Sequence, residues 1–226
     1  MIIPVGDTSK TRHTAWVNWL LIAANCVIFV LYYRQDRYES TIVSYGMVPN
    51  QWQTHWTTLF TSMFLHGDPM HLLGNMLFLY IAGDNVEDRL GHLQYLVFYL
   101  AAGLAGAAVH IVWSVYFGSG GGVITVGASG AISGVMGAYL VFFPRSQIKF
   151  MIWLIIFIRY FTLPAWGVLG FWVASQVMMA RAQWHGVAEK EAAMVAVFAH
   201  LGGFAFGFVV ALFARMFGKE PKRRSD

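Results

Sequence analysis

Charge is scarce in this chain. Of its 226 residues, 15 are Lys or Arg and 11 are Asp or Glu, a charged share of 12%, about half of what a soluble domain carries. So few charges cannot keep a soluble globular domain of this length solvated, and that class is excluded. Cysteine is scarcer still. Cys26 stands alone, so no intramolecular disulfide can form, and its place in an apolar run reads as packing. The formal net charge of +4 comes with no basic patch interleaved with stacking aromatics, so nucleic acid is not an expected partner. The positive residues read instead as anchors at cytoplasmic helix ends. What the chain does have is 58% hydrophobic residues, gathered in long runs. It is predicted to be an integral membrane protein. One membrane domain is expected over 15–217, between a short cytoplasmic tail at 1–14 and a basic one at 218–226, with no room for a large soluble domain.

Residues 15–33 are long enough to cross a hydrocarbon layer of roughly 30 Å. They are too long for the apolar core of a signal peptide, and no small-residue cleavage site follows. Residues 41–66 are aromatic-rich but punctuated by Pro49, Asn50, Gln51, Gln53 and Thr54, with Trp52, Trp56, Phe60 and Phe64 about four apart. They predict a large loop of short amphipathic pieces at the membrane interface. A second span is predicted over 70–82, running on to Asp84, Glu87, Asp88 and Arg89, and a third over 93–117, ended by the glycine-rich run 118–122. The fourth starts near 127 and must stop at Pro144, which leaves ~17 residues or ~26 Å. That is shorter than the hydrocarbon core, so this helix is expected to begin below the surface, met by a loop at 123–126 that dips in beside protein.

The apolar run 150–158 is too short to span alone. A fifth span is predicted over 163–180 and a sixth over 192–217. Six spans put both termini on one side. Lys10, Arg12, Arg89, Arg145, Lys149 and the C-terminal basic cluster share that side, against Arg34, Arg37, Arg181 and Lys190 on the other. The positive-inside rule therefore predicts cytoplasmic termini, in a plasma or inner cell membrane. The expected fold class is all-α: a polytopic six-transmembrane-helix bundle with a structured first loop between helices one and two.

This topology gives several polar residues a common depth. Spans two, four and six all enter from the outer side. His71 and Asn75 fall in the first turns of span two, Ser129 at the start of span four, and His200 about two turns into span six. Polar groups at such depth are costly, face the bundle interior and mark functional sites. A serine hydroxyl becomes a nucleophile when a neutral histidine takes its proton. The oxyanion that follows needs preorganised donors, which an Asn amide, a second His and the Ser129 backbone N–H can supply. Helix-start N–H groups add to these. No third, orienting carboxylate is apparent. Asp84, Glu87 and Asp88 fall at the opposite end, and Asp68, Glu189 and Glu191 fall in outer loops. The pattern reads as a Ser–His dyad. His110 and His66 are assigned packing or loop duty, and His55, His92 and His185 are expected at the interface or in solvent.

Each residue also has a bland reading. Gly-x-Ser-Gly in a glycine-rich helix can be plain packing, His200 a satisfied interior histidine, and His71 with Asn75 an interhelical clamp. Their shared depth on alternate spans favours the site. The stripe Gly130, Gly134, Gly137 on span four and the pair Gly203, Gly207 on span six would let these two backbones approach closely enough for Ser129 and His200 to meet.

Four ordered motifs complete the reading. Phe64-Leu65-His66-Gly67 is followed by His71-Leu72-Leu73-Gly74-Asn75-Met76. Gly83, Glu87 and Gly91 come next, then Gly127-Ala128-Ser129-Gly130-Ala131, and last Ala199-His200-Leu201-Gly202-Gly203 with Gly207. Together they resemble the rhomboid family of intramembrane serine proteases over about 60–207. The resemblance implies Ser129 as nucleophile, His200 as general base, and His71 and Asn75 as helpers of the oxyanion, with no metal or cofactor. It implies single-span or polytopic membrane proteins as substrates, cut near the outer surface at a small residue where their helix unwinds. Span five, with Trp166, Phe171 and Trp172, would form the side of approach, and the loop 181–191 would cap the site from water. One position departs from the family. An aromatic ring four residues after the nucleophile usually packs on the base histidine, and here that position is Ser133, so Phe204 or another aromatic is expected to hold His200.

The function expected is therefore an intramembrane serine endopeptidase. The alternative is a catalytically inactive relative that binds transmembrane helices. A transporter with a histidine proton path predicts charges through the membrane depth and inverted halves, and neither is visible.

Overall fold

The computed structural model describes residues 2–33, 37–118, 121–154, 157–188 and 195–217. Helices dominate: α1 (Trp16–Tyr33), α2 (Tyr38–Tyr45), α3 (Thr58–Thr61), α4 (Pro69–Leu90), α5 (His92–Val112), α6 (Ser129–Phe142), α7 (Ala165–Trp184) and α8 (Val197–Phe217). A π turn over Trp113–Phe117 prolongs α5, and short 3-10 turns at Pro49–Gln51 and Ser62–Phe64 punctuate the first loop. Among the described residues three helical stretches are long and apolar enough to cross a membrane: Trp16–Tyr33, His92–Phe117 and Val197–Phe217. Helix α6 is apolar but only 14 residues long, about 21 Å. Helices α4 and α7 have the length, at 22 and 20 residues, but are more polar.

The all-α expectation needs correcting. Strands β1 (Ile2–Asp7), β2 (Gln147–Leu154) and β3 (Phe157–Pro164) form an antiparallel sheet in the order β1-β2-β3. The described parts of the run 150–158 are thus strand, with Phe150 paired to Phe161 and Ile152 to Arg159. Their residues are mostly β-branched or aromatic, which suits a pleated surface better than a helix. The N-terminal tail closes the sheet, with Ile2 opposite Ile152 and Asp7 opposite Ile148. A pairing across that sequence distance leaves no local periodicity to read.

Helix α4 organises one side of the bundle from both its ends. At its start the Asp68 carboxylate accepts the backbone N–H groups of Met70 (2.8 Å) and His71 (2.9 Å), and Pro69 fills the first helical position. This pairing satisfies donors that no helical carbonyl can reach. At its other end the buried Glu87 carboxylate accepts the N–H groups of Val17 (3.0 Å) and Asn18 (2.7 Å), so one helix caps the start of another. Asn18 in turn accepts from Tyr95 Oη at 2.8 Å and donates to the Leu79 carbonyl at 3.1 Å. Helices α1, α4 and α5 are clamped together there.

Helix α6 runs through the middle. Eleven of its 14 residues are buried, because small residues let its neighbours approach to backbone contact. A Cβ at Gly203 would overlap the Gly130 carbonyl oxygen, and one at Gly207 would overlap that of Gly134. The stripes on α6 and α8 thus face each other, and dispersion replaces the hydrophobic drive that lipid cannot supply.

The chain that leads into α6 is held by the first loop. Met47 N–H donates to the Thr125 carbonyl (3.0 Å) and Thr125 N–H to that of Met47 (2.7 Å), while Asn50 N–H meets Gly121 O (2.8 Å). Gly127 N–H donates to Ser62 O at 2.9 Å. The irregular stretch 121–128 therefore has backbone partners within the protein, as buried loops require.

Candidate active site

Ser129 is the first residue of α6, so the opening N–H groups of that helix are free of intrahelical partners and point past it. Gly127, two residues earlier, sits at φ +130°, a conformation open to glycine, and any Cβ there would stand 2.9 Å from Cε1 and Nε2 of His71. Glycine at this point lets the imidazole edge close on the start of α6. His71 is the third residue of α4, and Asn75, one turn later, lies on the same face. His200 is the fourth residue of α8. It lies in the first turn, not two turns in, because the helix starts at Val197. Three helices thus each bring a first-turn residue to one end of the bundle.

Ser129 Oγ lies 2.8 Å from Nε2 of His200. The other ring nitrogen, Nδ1, lies 2.7 Å from Oε1 of Gln176 on α7. The indole of Trp172, also on α7, stands 6.0 Å from the His200 ring and is tilted by 36°. Phe204 packs on Trp172, again at 6.0 Å. The aromatic neighbour of His200 is therefore Trp172, with Phe204 behind it. Ser133 turns inward, its Oγ donating to the Ser129 carbonyl at 2.6 Å, a bond within one turn that leaves no hydroxyl for the site.

His71 has a different polarity. Its Nδ1 accepts the Gly67 N–H at 3.3 Å, so in the neutral ring the proton sits on Nε2, the atom that faces Gly127 and Ser129. His71 is thus a donor where His200 is an acceptor. Asn75 is buried, and its Nδ2 has no partner among the described residues. Buried amide donors without an acceptor are uncommon and call for a reason. A negatively charged oxygen bound at this place would supply one.

His66 is fully buried behind His71, ring centroids 5.1 Å apart and nearly edge-on. Burial pushes its imidazole down to about 3, the nearby His71 adds to the effect, and Asp68 opposes it. Its backbone is tied on both sides to Tyr32 Oη at 2.8 Å, a loop-holding role. His110 Nε2 lies 3.1 Å from Thr125 Oγ1, tying α5 to the stretch before α6. His92 pairs with Glu87 at 2.5 Å. Glu189, Lys190 and Glu191, the last three residues of the expected capping loop, and the basic C-terminal cluster lie outside the described residues. Arg181 belongs to α7, not to a loop, because that helix runs on to Trp184.

Among the described residues no three His, Cys, Asp or Glu side chains gather as a metal site would need. A cleft of about 460 Å³ lies between α1, α2 and the first loop against Tyr32, Thr41 and Phe64, and none of the four candidate residues lines it. A much smaller cavity, about 30 Å³, opens beside Ser129 and is lined by Ser62, Thr125, Gly127 and Ala199. Convergent polar groups make the second of these the candidate site, whatever the size of the first.

Gln176 is the residue that sequence reasoning missed. A signal existed, since Gln is the most polar side chain between 165 and 180. Its partner, however, sits on another helix.

Comparison with known proteins adds an independent line. A family profile described as Rhomboid domain matches residues 53–217. The chain is 38% identical over 150 residues to the "Rhomboid protease GluP" of Bacillus subtilis (strain 168), covering 62% of this chain and 28% of that protein. It is 28% identical over 210 residues to the "Presenilin-associated rhomboid-like protein, mitochondrial" of Homo sapiens, 89% of this chain and 51% of that one. "RHOMBOID-like protein 1" of Arabidopsis thaliana is 38% identical over 82 residues, 36% of this chain and 20% of its own length. The chain thus spans about half the length, or less, of the curated relatives it matches.

Proposed function

The chain belongs to the rhomboid family, and from that membership we propose that it is an intramembrane serine endopeptidase using Ser129 and His200. The observation that carries the reading is the 2.8 Å approach of Ser129 Oγ to His200 Nε2 at the start of a helix. His200 takes the hydroxyl proton as Ser129 Oγ attacks the scissile carbonyl carbon. The oxygen of the tetrahedral intermediate is held by the Ser129 N–H, the Asn75 amide and Nε2–H of His71. His200 then gives its proton to the leaving amine, and water, activated by the same imidazole, hydrolyses the acyl-enzyme. No metal or cofactor takes part in this scheme.

The substrates are single-span or polytopic membrane proteins within the lipid bilayer, cut near the outer surface where a helix unwinds at a small residue. In this reading α1, α4, α5, α6, α7 and α8 are six spans of one membrane domain over 15–217. The tails 1–14 and 218–226 are cytoplasmic, and the membrane is the plasma or inner membrane of the cell. The shortness of α6 and the positive residues at the cytoplasmic ends support this. Helix α7 turns the rings of Trp166 and Phe171 outward, which suits a side of approach for a substrate helix.

Cleavage of a reporter single-span protein in liposomes by wild type and Ser129→Ala tests the reading. Loss of roughly 10⁴-fold or more is expected, together with serine-directed phosphonate labelling of wild type and none of His200→Ala. Equal cleavage by both proteins refutes the assignment. Absence of cleavage and labelling in both supports the alternative, an inactive relative that binds transmembrane helices.

A further inference from the structure

We infer that Gln176 is a positioning residue that holds His200 in the tautomer able to act as base, so that the site works only while α7 is seated against α8. The inference rests on the serine-protease reading above and deepens it. A base that accepts the Ser129 proton at Nε2 must carry its own proton on Nδ1, and a buried Nδ1–H needs an acceptor. Among the described residues no carboxylate hydrogen-bonds His200. The atom at Nδ1 is Oε1 of Gln176, at 2.7 Å.

Which end of the amide faces the ring follows from its neighbours. Ser175 donates its hydroxyl proton to the Trp172 carbonyl at 2.6 Å, so Ser175 Oγ is left with lone pairs only. The Gln176 amide nitrogen lies 3.5 Å from that oxygen, a long contact but one that only a donor can fill. The oxygen end therefore faces His200. Flipped, the amide would put a donor on Nδ1 and set its oxygen lone pairs against those of Ser175 Oγ. It would also force the proton onto Nε2, where the ring could no longer act as base. One neutral amide thus does what a carboxylate does in the familiar triad, without a charge buried among apolar helices.

The placement of Gln176 argues against accident. Helix α7 buries Ala165, Leu169, Gln176 and Ala180, which lie on one face, four, seven and four residues apart. Gln176 is the only polar member of that stripe, and its side chain spends its acceptor on the base. Trp172, one turn earlier, lays its ring beside the same imidazole. Withdrawing α7 would remove both contacts at once, and His200 would lose its tautomeric bias and its ring support together.

The test uses the full chain in liposomes with the single-span reporter. Gln176→Met keeps the length and removes the acceptor. It is expected to lower kcat roughly 10- to 100-fold with KM unchanged, and to slow phosphonate labelling of Ser129 by the same factor. Gln176→Glu restores an acceptor oxygen and is expected to recover most of what Gln176→Met loses. ¹⁵N spectra of ring-labelled wild type should find the proton of neutral His200 on Nδ1, a readout independent of how any variant folds. Wild-type kcat in Gln176→Met, equal losses in the Met and Glu variants, or a proton on Nε2 would each overturn the inference while cleavage by wild type still stood. Wild type that neither cleaves nor labels overturns the serine-protease reading itself, and this inference with it.

Discussion

Replacing Gly203 by Ala tests whether backbone contact between α6 and α8 sets the Ser129–His200 distance. The added Cβ would overlap the Gly130 carbonyl oxygen and stand 2.9 Å from its carbonyl carbon, with the Ala102 carbonyl oxygen 3.5 Å away. These are backbone atoms of packed helices, and they cannot swing aside as the end of a flexible side chain can. Relief comes from moving the two helices apart, by on the order of 1 Å. Gly203 lies three residues beyond His200 and faces the residue after Ser129, so the separation falls at the site. The 2.8 Å contact would open towards ~3.8 Å, beyond hydrogen-bond reach. Misplacement of that size costs roughly 10²-fold in turnover. Stability should suffer less. Overpacking costs ~1–3 kcal/mol, and the better helix propensity of Ala offsets ~1 kcal/mol of it. Gly170→Ala is the control, because nothing lies within 4 Å of a Cβ there. It should raise or leave unchanged the melting temperature and keep turnover. Melting in micelles and reporter cleavage in liposomes give both quantities. Wild-type turnover by Gly203→Ala would refute the claim that these backbones set the catalytic distance.

Asn75→Leu should lower kcat roughly 10²- to 10³-fold without lowering the melting temperature, since the Asn75 Nδ2 has no partner to lose among the described residues; a drop in melting temperature with turnover intact would assign Asn75 to the fold instead. The His66 ring is held neutral, its value pushed down to about 3 by burial and by His71. Its contribution to stability is therefore complete above pH ~6.5, where the unfolded ring is also neutral, and is lost as pH falls from there towards 3, by at most about 1.4 kcal/mol per pH unit. His66→Phe should flatten that acid limb in melts taken across pH, and an unchanged limb would count against burial of the ring as its cause.

The amino-acid order alone pointed to the membrane class of the protein and to the members of the candidate site. A charged share of 12% excludes a soluble domain whatever the fold. Ser129, His200, His71 and Asn75 were legible because each stands in a short motif at the start of an apolar run, and starts of alternate spans share a depth. The facing stripes Gly130/Gly134 and Gly203/Gly207 were legible for the same reason, since helical spacing is local. Tertiary structure decided what depends on partners far along the chain. The sheet joins Ile2 to Ile152. Glu87 accepts the backbone N–H of Val17, 70 residues earlier, at the start of α1. The Met47–Thr125 bridge holds the approach to Ser129. The ring beside His200 is that of Trp172, brought there from α7, and the same ring meets Phe204. Above all, the acceptor on His200 comes from Gln176, 24 residues earlier and on another helix. A hydrogen bond acts only over about 3 Å, and nothing in the order of residues says which helix faces will come that close.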